Sequence, residues 1–393
     1  MEKVKFETFT VYIVSFFIYA GYYIGLSIIF TTENQYLSRF YSIPLRLGLS
    51  FIMLYFIYKS RHVFLNNYKV ILLLLYFSFY YIIKILYTEN SGAYLVRPWY
   101  EYILFYFIYC LIPFLYFSSI DYNKYYNTIL NAFLQSGIIL GLLSLIIFKD
   151  ALTGGGVGRI SMLSHETGKE VISPLALAYS GALTFLLSLY KLIYQKVNLF
   201  SIITCIIALL SSGLLFLLGS TRGALLGILL GITLLILYSD FRRKFLIIGL
   251  MIATIPLIYI GIESTGSSIL DRTTDTLQTG ESSGRDVLWR EAFTEFLNNP
   301  IFGGRIEVSG IYPHNIFLEL LMSTGVIGLF LFLQFLYLIL KRNYKQFEIK
   351  PQYLIAALIL TIGIAQHLVT GALWGAITLF AGLGLLNTLK KGK

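Results

Sequence analysis

The stretch YPHNIFLELLMSTGVIG, residues 312–328, places a histidine where an apolar helix is about to begin. Pro313 suits the start of a helix, so His314 or Asn315 is predicted to lie at its N-terminal turn. Unpaired backbone N–H groups and the helix dipole make the potential there positive, which disfavours an imidazolium. A general base for a hydroxyl group needs a neutral imidazole, so His314 is the candidate base. A capping or interfacial role is the alternative.

An arginine at the entrance of another apolar segment could hold an anion. Arg222 lies in LLFLLGSTRGALLGILLG, where Gly219–Gly223 is the sole polar interruption. Ionisable residues at membrane depth usually line a cavity or pathway. A guanidinium stays charged when partly desolvated and presents a planar fork of donors to a carboxylate or phosphate. The alternative is that Arg222 extends to the lipid headgroups.

A third candidate, Arg285, lies in an amphipathic segment. Residues 284–299, GRDVLWREAFTEFLNN, repeat apolar side chains at helical spacing, and the helix is predicted to stop before Pro300. Arg285 precedes Leu288 by three residues and Trp289 by four, so it shares the apolar face. A guanidinium turned towards protein or bilayer needs a partner.

The composition requires a membrane around these residues. Hydrophobic residues make up 57% of the chain and charged residues only 13%, so water cannot host it as one compact domain. Apolar segments of about 20 residues, the length of a bilayer-spanning helix, recur along the sequence. We predict an all-α polytopic membrane protein with about twelve transmembrane helices, at residues 9–30, 40–58, 70–87, 99–118, 127–148, 171–190, 199–218, 220–238, 245–262, 314–340, 353–370 and 372–389.

The charge distribution sets the predicted orientation. Positive loops are retained in the cytoplasm, so both termini are predicted inside. The net charge of +10 is then a topology signal and not a nucleic-acid-binding surface. The predicted outer side is rich in arginine, with Arg39, Arg46, Arg97, Arg159, Arg222, Arg272, Arg285, Arg290 and Arg305. This face is predicted to hold an anion, and pairing with outer carboxylates is the alternative for each arginine.

The predicted organisation is a single transmembrane domain over residues 1–393 with two long extracytoplasmic loops. Residues 149–170 form a glycine-rich loop that contains Arg159 and His165. Residues 263–312 form the larger loop, which contains the amphipathic helix. The cysteines lie far apart in apolar runs, so neither a disulfide nor a metal site is predicted.

Several short motifs follow one another between about residue 155 and residue 330. They are an arginine in a glycine-containing loop, then GSTRGALLG, SSGRDVLWREAF, NNPIFGGR and PHNIFLELLMSTGVIGL. This order, on twelve predicted spans with the largest outer loop between spans nine and ten, resembles the O-antigen polymerase and O-antigen ligase superfamily of bacterial envelopes.

The resemblance implies a GT-C-like membrane glycosyltransferase that is metal-independent, needs no cofactor and inverts the sugar. Its donor would be an undecaprenyl-diphosphate-linked oligosaccharide, used at the periplasmic face of the bacterial inner membrane. Arg222 and Arg285 would hold the donor diphosphate, and His314 would take the proton of the attacking hydroxyl. Further candidate substrate-binding residues are Arg159, Arg290, Arg305 and Asn315.

Two acceptors fit this resemblance. A polymerase passes the glycan to another lipid-linked repeat unit, whereas a ligase passes it to the lipid A core. Arg272, Arg290 and Arg305 could serve a second diphosphate, which favours the polymerase, with a chain-length regulator as a further candidate partner.

A polytopic transporter or lipid flippase is the alternative from another class. Its polar residues would be expected near the middle of spans. Lys84, inside FYYIIKILY, is the strongest cationic candidate of that kind. Milder ones are Gln135, Gln334, Gln366 and His367, whereas the conspicuous polar groups lie at the predicted outer boundary instead.

Overall fold

The computed structural model describes residues 2–31, 37–61, 67–153, 160, 162–163, 170–196, 198–271, 273–274, 285–343 and 346–388. The first helices are α1 (Glu2–Phe17), α2 (Ala20–Phe30), α3 (Leu37–Lys59), α4 (Tyr68–Asn90), α5 (Trp99–Tyr106), α6 (Ile112–Ser119), α7 (Tyr122–Ile147) and α8 (Lys149–Thr153). They are followed by α9 (Pro174–Tyr194), α10 (Leu199–Gly219), α11 (Arg222–Leu237), α12 (Phe241–Thr265), α13 (Arg285–Asn298), α14 (Ile316–Asn343), α15 (Gln346–Ile349), α16 (Tyr353–Val369) and α17 (Ile377–Asn387).

Short irregular elements join some of these helices. A π-helical turn, Phe107–Leu111, links α5 to α6, and a 3₁₀ turn, Leu373–Gly375, precedes α17. Between α8 and α9, strands β1 (Met162–Leu163) and β2 (Glu170–Ile172) pair antiparallel. Strand β1 and the first residue of β2 lie within the predicted glycine-rich loop.

The described helices account for every predicted membrane-spanning segment. Eight are long and apolar enough to cross a membrane, with α5 to α6 taken as one span. The pair α1 and α2 meets the same criterion together but bends by 63°, and α11, α16 and α17 are shorter apolar helices. The all-α polytopic fold is therefore confirmed, whereas the count of twelve is not.

The chain forms two compact units. The first contains Met1–Ile52, Tyr122–Leu277 and Phe347–Ile362, and the second contains Met53–Asp121, Gln278–Gln346 and Gly363–Lys393. Each unit therefore depends on packing between segments that are distant in sequence. The single domain over residues 1–393 stays a prediction.

The first unit is organised around α9 and α10. Its buried apolar cluster consists of Ala20, Leu26, Leu140, Leu177, Leu215 and Leu218. A Cβ on Gly219 would clash with the carbonyl oxygen of Pro174, so glycine lets the end of α10 approach the start of α9. Ser220 then adopts a left-handed conformation with φ of +41°, and the chain turns into α11 at Arg222.

Helix α12 shows why the first unit needs a bilayer. Ile252, Ile255 and Ile260 are each about 60% exposed, at 63%, 61% and 59%. A continuous apolar surface of this kind is not tolerated in water by a monomeric protein. We infer that α12 faces lipid.

The second unit has an aromatic core built on α14. Phe332 packs against Phe77 of α4 with ring centroids 5.3 Å apart, and Phe335 packs against Phe114 of α6 at 5.2 Å. Phe380 of α17 stacks on Phe335 at 6.5 Å. Helix α14 is thus held by three other helices of its unit.

Helix α13 occupies the stretch where the amphipathic helix was predicted. Ala292 is buried with Val308 and Met322 in a small apolar cluster. Phe293 and Leu297 of the predicted apolar face are 48% and 58% exposed. Only part of that face is therefore covered within the second unit.

Helix α14 is interrupted at Gly325, where φ is +62° and ψ is −165°, a combination that is essentially restricted to glycine. The turn formed by residues 300–306 packs against this break. Val326 N–H donates to the Pro300 carbonyl at 3.0 Å, and Gly304 N–H donates to the Met322 carbonyl at 2.7 Å. The turn therefore replaces hydrogen bonds that the helix loses.

We expect Gly325→Ala to destabilise the protein by on the order of 1–3 kcal/mol, the cost of a forbidden backbone conformation. The new Cβ would also clash with the Ile301 carbonyl oxygen. The measurement is thermal unfolding of the detergent-solubilised chain, with Gly213→Ala in α10 as control, because a Cβ there meets nothing within 4 Å. Equal midpoints for the two variants would contradict the strained break.

Candidate active site

Helix α14 begins with a side-chain cap. Asn315 Oδ1 accepts the N–H groups of Phe317 at 3.0 Å and Leu318 at 3.1 Å, so Asn315 is the N-cap and its carboxamide oxygen is committed to the helix. His314 lies one residue earlier with φ of +56°, a left-handed conformation that non-glycine residues rarely adopt. The backbone therefore turns at His314 immediately before the helix.

The imidazole of His314 is oriented by a backbone carbonyl. Its Nδ1 lies 3.0 Å from the Thr370 oxygen. A carbonyl oxygen only accepts, so Nδ1 carries a proton and donates it, and in the neutral ring Nε2 holds the free lone pair. Tyr312 packs edge-on against the same ring, with centroids 4.5 Å apart. These contacts define both the tautomer and the ring plane.

Burial lowers the pKa of His314 from its ordinary value, because the imidazolium is poorly solvated there. The hydrogen bond to Thr370 opposes this effect, since it stabilises the protonated ring. The positive charge of Arg285 acts in the same direction as burial and lowers the pKa further. At neutral pH the ring is therefore uncharged, and burial is the main reason.

Helix α13 is joined to the backbone beside His314. Trp289 Nε1 donates to the Pro313 carbonyl oxygen at 2.8 Å. Arg285 precedes Trp289 by four residues, so the two side chains lie on one face of α13. This geometry agrees with the electrostatic effect of Arg285 on His314. The second unit therefore brings Arg285 and His314 into one neighbourhood.

A buried glutamate side chain holds the segment that contains Thr370. Glu319, which is fully buried, accepts the N–H of Leu373 at its Oε2 over 2.9 Å. Leu373 follows Thr370 by three residues, so the start of α14 binds this segment at two points. The side chain of Glu319 thereby helps to fix the carbonyl that orients His314.

The other predicted arginines are distributed over both units. Arg222 is the first residue of α11 in the first unit and is half-buried. Arg290 and Arg305 are exposed in the second unit, the first on α13 and the second beyond its end. Arg159 lies outside the described residues, as do Arg272 and His165.

Two arginines of the predicted outer side lie close to carboxylates. Arg305 donates its backbone N–H to Glu295 Oε1 at 3.1 Å, and its Nε lies 3.9 Å from the same oxygen. Arg97 lies 3.1 Å from Glu101. Both arginines stay about half exposed, at 48% and 44% of the side chain, so these pairs contribute little to stability.

Sequence reasoning missed three residues that position the histidine. Thr370 acts through its backbone oxygen, which no residue type reveals. Trp289 was assigned to the apolar face, although its indole N–H implies a hydrogen-bond partner when buried. Glu319 could have been identified from the sequence, because an acidic side chain one turn inside an apolar helix requires a hydrogen-bond donor.

Comparison with known families supports the resemblance drawn from the motifs. Residues 206–333 match the family model described as O-antigen ligase. The match is consistent with the O-antigen polymerase and ligase superfamily and so confirms that resemblance. It includes Arg222, Arg285 and His314. No curated protein matches the chain.

The lowered pKa of His314 can be measured by its reaction with diethyl pyrocarbonate, which acylates the neutral ring. As pH falls, the neutral fraction is lost, and we expect the midpoint for His314, read by mass spectrometry, below the ordinary value of 6.5. Arg285→Gln should move that midpoint upward, because it removes a like charge. Arg290→Gln, an exposed position on the same helix, is the matched control. A midpoint at or above 6.5 in the unsubstituted protein would contradict the buried neutral base.

Proposed function

Taking the family match of residues 206–333 as the premise, we propose that this protein polymerises O-antigen or a similar surface polysaccharide. It takes a glycan from an undecaprenyl-diphosphate-linked donor and transfers it to the sugar hydroxyl of another lipid-linked repeat unit. The observation that supports this best is the 3.0 Å contact between His314 Nδ1 and the Thr370 carbonyl, because it leaves Nε2 as a proton acceptor. The family match itself supports a glycosyltransferase-like enzyme acting on O-antigen.

In the proposed step the acceptor hydroxyl gives its proton to Nε2 of His314 as its oxygen bonds to the anomeric carbon of the donor. The bond from that carbon to the diphosphate oxygen breaks, and its electron pair leaves with the lipid diphosphate. Attack from the opposite face inverts the anomeric centre. The proton on His314 then passes to water. This GT-C-like step needs no cofactor and, in our proposal, no metal.

The leaving diphosphate gains negative charge during this step, and fixed positive donors are needed to stabilise it. We assign this role to Arg285. On the sequence motifs alone we propose Arg222 for the same role, and Arg159, Arg290, Arg305 and the Asn315 amide N–H groups as further substrate contacts. The nearness of Arg285 to His314 supports the first assignment, since base and leaving-group donor must flank one reaction centre. Burial lowers the pKa of His314, and the positive charge of Arg285 lowers it further before the substrate binds.

The setting is a multi-pass membrane protein, in which the polyprenyl tail of the donor stays among membrane lipids. We place the reaction at the periplasmic face of the bacterial inner membrane, because His314 lies at the predicted outer end of α14. A chain-length regulator is a proposed partner. The ligase, with the lipid A core as acceptor, would use the same donor site.

Substitution of the base tests the chemistry. We expect His314→Ala to lower glycan extension roughly 10²–10⁴-fold, the usual contribution of a general base. Arg285→Ala should raise the barrier by about 2.7–4 kcal/mol, like the loss of other oxyanion donors. The measurement is the glycolipid ladder of a deletion strain complemented with each variant, normalised to protein in the membrane.

Arg242→Ala is the control for this series, because Arg242 is exposed at the start of α12 on the predicted cytoplasmic side. It should restore the full ladder. Full extension by both His314→Ala and Arg285→Ala, at normal protein levels, would reject the proposed site.

The acceptor is identified by the product that accumulates when the gene is deleted. A polymerase defect leaves a single repeat unit on the lipid A core, because ligation of that unit continues. We expect this pattern in gel electrophoresis of the envelope glycolipid. An intact core with no repeat unit would assign the ligase instead, and an unchanged ladder would remove both.

A further inference from the structure

Three polar side chains on one face of α4 form hydrogen bonds with the turn of residues 300–306. Tyr80, Lys84 and Thr88 are spaced four residues apart, which puts them on a single helix face. The Tyr80 hydroxyl donates to the Phe302 carbonyl oxygen at 2.6 Å, and Lys84 Nζ donates to the Gly303 carbonyl oxygen at 2.7 Å. Together they cover consecutive carbonyl groups of the turn.

Thr88, one helical turn further along α4, also binds this turn. Its Oγ1 donates to the Lys84 carbonyl oxygen at 2.8 Å and accepts the Ile306 N–H at 3.1 Å. A hydroxyl that donates to its own helix keeps its lone pairs for an outside N–H group. The contacts with α4 therefore extend from Phe302 to Ile306.

The opposite side of the turn is bound to α14. Gly304 N–H donates to the Met322 carbonyl oxygen, and Val326 N–H donates to the Pro300 carbonyl oxygen. The turn of residues 300–306 thus lies between the α4 face and the break at Gly325. Non-helical backbone at membrane depth is tolerated only when protein groups satisfy it.

Lys84 is the unusual member of the α4 face. It is only 6% exposed, and among the described residues no carboxylate lies within 4 Å of its ammonium, although the Glu295 carboxylate attracts it from a greater distance. Its contacts are the Gly303 carbonyl and the Tyr87 ring, whose centroid lies 4.3 Å from Nζ. A buried ammonium is costly, and its hydrogen bond to the Gly303 carbonyl offsets part of that cost.

We propose that Lys84 is a positioning residue, which fixes the turn of residues 300–306 and so holds Arg305 in place for the lipid-linked diphosphate. Arg305 lies two residues after Gly303, whose carbonyl Lys84 binds, and its backbone N–H is bound by Glu295. Its guanidinium stays half exposed, as a substrate contact requires. The assignment to a diphosphate rests on the proposed function.

Hydrogen exchange of the purified full-length chain in nanodiscs tests whether Lys84 fixes the turn of residues 300–306, without any assay of activity. We expect Lys84→Met to accelerate exchange of the peptide containing residues 300–306 at least tenfold, because a donor is removed. Lys84→Gln keeps an N–H donor without the charge and should restore slow exchange. Tyr80→Phe should act in the direction of Lys84→Met. Lys69→Met, exposed on the same helix, is the control.

Kinetics with the lipid-linked donor then test the consequence. Lys84→Met should raise the KM for the donor about tenfold and leave kcat nearly unchanged, whereas Lys84→Gln should restore the KM. Unchanged exchange in Lys84→Met, or a Lys84→Gln variant as defective as Lys84→Met, would overturn the positioning role. If the exchange results are as expected but neither the unsubstituted protein nor any variant transfers glycan, the proposed function is wrong, whereas the positioning of the turn by Lys84 is supported.

Discussion

The need to satisfy backbone hydrogen bonds away from water is the constraint on which the second unit depends. A membrane-spanning helix normally meets this need within itself, but α14 is interrupted at Gly325 and takes partners from the turn of residues 300–306. At the N-terminal end of α14, Asn315 caps the first helical N–H groups. One helix therefore fixes two irregular segments, and these carry His314 and Arg305.

Three buried or half-buried titratable side chains in this unit, Lys84, Glu319 and His314, bond to backbone groups. Lys84 donates to the carbonyl of Gly303, and Glu319 accepts the N–H of Leu373. The imidazole of His314 follows the same rule. A backbone partner is held by its own chain, so it orients a side chain without the entropy cost of ordering a second long side chain. Each group consequently fixes a segment that lacks regular secondary structure.

The sequence was sufficient to predict the helical membrane fold, because apolar runs of spanning length leave few alternatives. It also predicted His314 and Arg285 as candidates, since charge and imidazole at helix entrances are conspicuous in such a composition. It did not predict the break at Gly325 or the partners of Lys84. Those depend on carbonyl and N–H groups that every residue possesses, and only folding brings Gly303 and Thr370 to particular side chains.

The state of the polar groups inside the spans argues against a transporter. A residue that carries an ion or substrate across a membrane must exchange partners during the cycle. Lys84 is buried against the backbone of a turn that is bound on both sides, and His367 Nδ1 lies 2.8 Å from the Gly363 carbonyl within its own helix. By contrast, His314 has an Nε2 lone pair with no protein partner among the described residues. The chemically available atom therefore lies at the end of a span, where a reaction at the membrane surface would need it.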